Sequence, residues 1–90
     1  MATYKDLIDT VIRREMGILG KERMQGVLEA LNIPVDDSGH YLKDGCELED
    51  LDHLMQELSA RYGAVAVMGC KIAVGRMARE SNLDLPPILK

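Results

Sequence analysis

The sequence holds two histidines and two cysteines, and three of these four run in order as His40, Cys46 and His53. Imidazole nitrogen and thiolate sulfur hold zinc, copper or haem iron, and Asp50 or Asp52 is near enough along the chain to serve as a fourth ligand. The intervals match no standard zinc pattern, in which histidines on one helix stand four residues apart. His40, Cys46 and His53 are therefore the candidate metal ligands, and no cofactor is expected.

Other chemistry finds less support. The stretch DDSGHYLKDGCE invites comparison with a calcium loop, but it puts His40 and Tyr41 where that loop needs an oxygen ligand and a glycine. GAVAVMGCK separates its glycines by five residues, and Cys70 intervenes before Lys71, so it is not a phosphate loop. There is no Ser-His-Asp series and no nucleophile elbow, so the sequence gives no grounds for an enzyme. Cys46 stands near a helix start, which favours a thiolate, but Glu47 and Glu49 oppose it. Cys70 falls on an apolar helix face, where cysteine acts as a small hydrophobe.

Charge is polarised along the chain. Residues 1–35 carry five basic and five acidic groups, 36–57 carry one and eight, and 58–90 carry five and two, giving 0, −7 and +3 within a net −4. Acidic residues at the start of the third helix suit its dipole. Glu49, Asp50 and Asp52 also form a face that can meet a basic partner, or the Lys71, Arg76 and Arg79 stripe of a second copy. These six are the expected partner-binding residues. The net negative charge disfavours nucleic acid. A helix-turn-helix reading of the first two helices would rest on Lys21, Arg23 and Gln25, with Glu22 against it.

The elements that must position these groups are helical. Tyr4, Leu7, Ile8, Val11, Ile12 and Met16 follow the three-and-four spacing of one helix stripe, with Thr3 placed as its cap. Met24, Val27, Leu28 and Leu31 mark a second stripe, and Leu48, Leu51, Leu54, Met55, Leu58 and Tyr62 a third that stops at Gly63. In AVAVMGCKIAVGRMARESN the valines leave a strand possible over residues 64–70, but one helix is the better reading. Its first two turns are apolar nearly all round and are expected to be deeply buried. Its small residues Ala66, Gly69, Ala73 and Gly75 permit close packing, or room for a flat ligand.

The expected fold is all-α: one compact four-helix domain spanning 1–90, with helices near 4–16, 20–32, 47–62 and 64–80. A turn-rich insert after the second helix has room for a tiny β-hairpin around DDSG, and the apolar tail LDLPPILK should pack on the bundle or on another subunit. A core without Phe or Trp and with six Met must be aliphatic.

Two cysteines far apart suit a reducing, cytoplasmic setting. The charged first residues do not read as a secretory signal, and no run is long enough to span a membrane. The function expected from these features is a non-catalytic protein-interaction or regulatory module acting through helix faces, self-associating as a homodimer. A small-molecule, metal or haem sensor is the alternative, and a DNA-binding regulator a further one.

Overall fold

Helix α1 covers Tyr4–Leu19, and its start is fixed by chemistry that the sequence announces. Thr3 Oγ1 accepts from the Asp6 amide, and the Thr3 amide donates to Asp6 Oδ2 at 2.8 Å, so two amides at the helix start are satisfied reciprocally. The computed structural model describes residues 2–35 and 46–90. The candidate hairpin around DDSG, with His40, lies outside the described residues.

Three further helices follow: α2 over Lys21–Ala30, α3 over Leu48–Tyr62 and α4 over Ala64–Glu80. Single glycines divide the pairs. Gly20 (φ 94°) separates α1 from α2 and Gly63 (φ 78°) separates α3 from α4, both in the left-handed half of backbone space that a side chain disfavours. Asn32 and Asn82, at φ 55° and 59°, end α2 and α4 in the same way. The next amides, of Ile33 and Leu83, donate to the carbonyls of Leu28 and Ala78, which closes each helix end.

The core is aliphatic. Leu7, Ile8, Val11 and Ile12 of α1 meet Met24 and Val27 of α2, the Leu51–Leu54–Met55–Leu58 stripe of α3, and Cys70 and Val74 of α4 in one buried cluster. The tail turns back into a short 3-10 helix at Pro87–Leu89, packed on α3 and α4, and buries Leu89. The chain ends are tied together: the Ala2 amide donates to Ser81 Oγ, and the Tyr4 hydroxyl donates to the Asp84 carbonyl at 2.9 Å.

Residues 64–70 are helical, so the strand alternative does not hold. The expectation that the first turns of α4 are buried all round also fails. Ala66, Val67 and Cys70 turn inward, whereas Val65 and Met68 face outward. Only the inner arc of a helix on the surface of a four-helix cluster can reach the core, so apolar residues around the rest are left in solvent.

Leu54, fully buried at the centre of α3, sets the scale of this core. Leu54→Ala should destabilise the chain by about 2–5 kcal/mol in urea unfolding, because it removes transfer energy and leaves a cavity.

Candidate functional site

Where α1 ends and α4 begins, two consecutive residues of one helix reach two consecutive residues of the other. Glu15 extends from α1 and is only 1% exposed. Its Oε1 accepts a hydrogen bond from the Cys70 thiol at 3.0 Å. Its Oε2 is buried and has no hydrogen-bond partner among the described residues. A buried polar atom left without a partner costs about 1–3 kcal/mol, which makes this oxygen the one to account for among the described residues.

Beside it, the Arg14 side chain lies on Gly69. A Cβ at position 69 would stand 2.5 Å from Arg14 Nη2 and 2.8 Å from Nε, closer than any methyl can sit. The absence of a side chain at Gly69 is what lets the guanidinium rest against α4. The close packing expected of the small residues in α4 is therefore real at Gly69, and its partner is a side chain rather than a helix backbone. Gly75, by contrast, faces open space.

Three of these four residues, Arg14, Glu15 and Gly69, also line a cleft of about 270 Å³. Arg14, Glu15, Tyr62 and Gly69 contribute its polar or bare surfaces, and Ile18, Leu19, Val65 and Ala66 its apolar walls. The cleft opens beside a band of exposed apolar side chains. Val65 is 83% exposed, Met68 65%, Ile72 79% and Ile18 of α1 62%. Val65, Met68 and Ile72 recur at intervals of three and four, so they form one stripe on the outer side of α4. Ile18 adjoins it, since it shares the cleft wall with Val65.

The Cys70 thiol is held far from reactivity. Burial first, then the hydrogen bond to Glu15 and the charge of Glu15, together raise its pKa from 9.0 to about 12, with Arg14 opposing them. The nucleophile and the metal ligand is the thiolate, so this sulfur does neither task at neutral pH.

The residues singled out from sequence are placed less suggestively. Cys46 is half-buried against the core and His53 is exposed on α3. Among the described residues, no three His, Cys, Asp or Glu side chains gather as a metal would need. Asp50 Oδ2 accepts from the Glu47 amide at 2.8 Å, so this carboxylate holds the start of its own helix. Asp52 accepts from Gln56 one turn on, and Glu49 is exposed. Lys71, Arg76 and Arg79 are exposed on α4, with Arg76 paired to Glu80 at 3.4 Å. Fully solvated pairs of this kind contribute little to stability.

Sequence reasoning missed Glu15, although a signal was present. It falls three residues after Ile12 and four after Val11, squarely within the apolar stripe of α1, and a charged residue at such a position is the observation worth pursuing. Comparison with protein-family models, curated proteins and solved structures gives no match, so the site is read from its geometry alone.

Two outcomes follow from the state of Cys70. In the native chain at neutral pH an aromatic disulfide reagent should modify Cys46 and spare Cys70 until the chain is unfolded, which peptide mapping of the labelled protein reads directly. The thiol is also harder to ionise folded than unfolded, so the folded state retains a proton that the unfolded state loses. The stability this contributes is full below pH 9.0 and is lost as the pH rises toward about 12. Urea unfolding across this range should show a steeper alkaline loss in the native sequence than in Cys70→Ala.

Proposed function

We propose that this chain is a non-catalytic interaction module that pairs with a second copy of itself through the outer face of α4. The supporting observation is the stripe of Val65, Met68 and Ile72, continued by Ile18, whose large apolar side chains are mostly in solvent. Contiguous exposed apolar surface of this kind marks interaction sites far more often than scattered single residues do.

The order of residues along α4 favours a second copy as the occupant. If two α4 helices lie antiparallel and cross level with Cys70, Met68 of one faces Ile72 of the other, and Val65 faces Gly75. Gly75 has open space where a side chain would be, which gives Val65 somewhere to insert. A two-fold contact requires the same patch to complement itself, and this stripe does so under reversal. The apolar stripe would form the interface core, with Lys71, Arg76 and Arg79 at the polar rim.

An alternative pairing sets the acidic Glu49, Asp50 and Asp52 of one copy against the basic stripe of another. That contact makes a closed pair only if both patches meet reciprocally about a two-fold axis, and otherwise it builds rings or open chains. Asp50 is moreover engaged at the start of α3. The charged residues are better suited to orienting the encounter than to holding the dimer.

Sedimentation velocity over a dilution series tests this reading. The native chain should sediment as a dimer that dissociates on dilution, and Ile72→Asp should be monomeric while keeping its helical circular dichroism. Raising salt from roughly 0.1 M to 1 M, which shortens the screening length from about 10 Å to 3 Å, should leave the apolar dimer intact. A native chain that remains monomeric throughout contradicts the proposal, and a dimer dissolved by salt assigns the contact to the charged residues instead.

A further inference from the structure

The cleft between the end of α1 and the start of α4 carries a polar arrangement that self-association does not explain. Two groups of opposite hydrogen-bonding character stand side by side in it. Glu15 lines the cleft, and its Oε2, an acceptor with almost no accessible surface, has no donor among the described residues. Arg14, the preceding residue, presents a donor fork that rests on Gly69. Because Glu15 reaches Cys70 and Arg14 reaches Gly69, acceptor and donor sit at neighbouring positions along α4.

A ligand that satisfies both must carry a donor and an acceptor close together, and reaching Oε2 requires the side chains over it to move aside. An ammonium and a carboxylate on one carbon meet that condition: the ammonium donates to Glu15 Oε2, and the carboxylate takes the planar Arg14 fork, which matches it in a bidentate manner. The remaining walls, Ile18, Leu19, Val65 and Ala66, suit an aliphatic side chain. The volume of about 270 Å³ falls just below the usual range for small-molecule sites, which admits an amino acid and leaves little room for a nucleotide. From this arrangement we infer that the cleft binds a free aliphatic α-amino acid, held by Glu15 and Arg14 and packed against the apolar walls.

Arg14 sits at the mouth with its side chain exposed, and can swing from Gly69 to the ligand without disturbing the core. Its stem would close over the bound side chain as its charged end turns to the carboxylate. Binding in this way would give the orphaned Glu15 oxygen its missing donor, which supplies part of the driving force.

The test is an NMR titration of the ¹⁵N-labelled full chain at one fixed protein concentration, repeated on the Ile72→Asp chain, so that shifts from altered self-association are told apart from binding. The probes are L-leucine, isoamylamine, which lacks its carboxylate, and 4-methylvalerate, which lacks its ammonium. Leucine should move the amide signals of Tyr62, Val65 and Gly69 saturably, and each truncated probe should bind at least about tenfold more weakly, the loss of roughly one charged hydrogen bond. Arg14→Met should weaken leucine and leave isoamylamine unchanged; Glu15→Gln should weaken leucine and leave 4-methylvalerate unchanged. Arg14 is exposed, so its variant keeps the test decisive even if Glu15→Gln fails to fold. The inference is overturned if leucine produces no saturable shift, if isoamylamine matches it, or if Arg14→Met binds leucine as the native chain does.

Discussion

The contact on which the rest of the arrangement depends is the one between Arg14-Glu15 of α1 and Gly69-Cys70 of α4. It draws a carboxyl group into a largely aliphatic interior with, among the described residues, one weak thiol donor for company. On stability alone, a well-packed apolar side chain would serve position 15 better, since buried polar groups are repaid only when fully hydrogen-bonded. The same contact joins α1 to the face of α4 that Ala66, Val67, Val74 and Ala78 turn inward, opposite the side that faces outward. The cleft and the exposed stripe lie beside it.

Helix α4 thus serves two surfaces with one sequence. Its inner arc of Ala66, Val67, Cys70, Val74 and Ala78 uses small residues to lie close to the core. Its outer arc carries Val65, Met68 and Ile72, which contribute nothing to the core of an isolated chain and cost it solubility. An aliphatic core of this size gives a ninety-residue chain modest stability, and burial of the outer arc against a second copy would add to it without any change of fold. The cleft lies at the margin of that stripe, sharing Val65 and Ile18 with it, so a ligand there and a neighbouring copy would touch the same side chains.

Much of the architecture was legible in residue spacing. Three-and-four periodicity gives α1 and α3 with little ambiguity, because each buries a single clear stripe, and Thr3 with Asp6 declares where α1 starts. The ends were harder. Helix α1 runs on through Gly17 to Leu19, and α2 stops at Ala30, because the left-handed Asn32 ends it before Pro34 is reached. The orientation of α4 was not legible: a segment apolar on every side has no periodicity to show which face is inside. The charge-based choice of Glu49, Asp50, Asp52, Lys71, Arg76 and Arg79 picked residues that are largely solvated or engaged within their own helices. Glu15, the residue most out of keeping with its surroundings, was hidden in plain view by lying within an otherwise ordinary stripe.

The central claim is that the outer face of α4, with the adjoining end of α1, is a working surface and the rest of the chain its support. Methyl NMR of isoleucine- and valine-labelled chain across a dilution series tests it most directly, because buried and exposed methyls are read together. The account predicts that the methyl signals of Ile18, Val65 and Ile72 move with concentration while those of Ile8, Ile12 and Val74, which are buried, stay fixed. Signals of the first group that are indifferent to concentration, or shifts spread evenly over both groups, would contradict it.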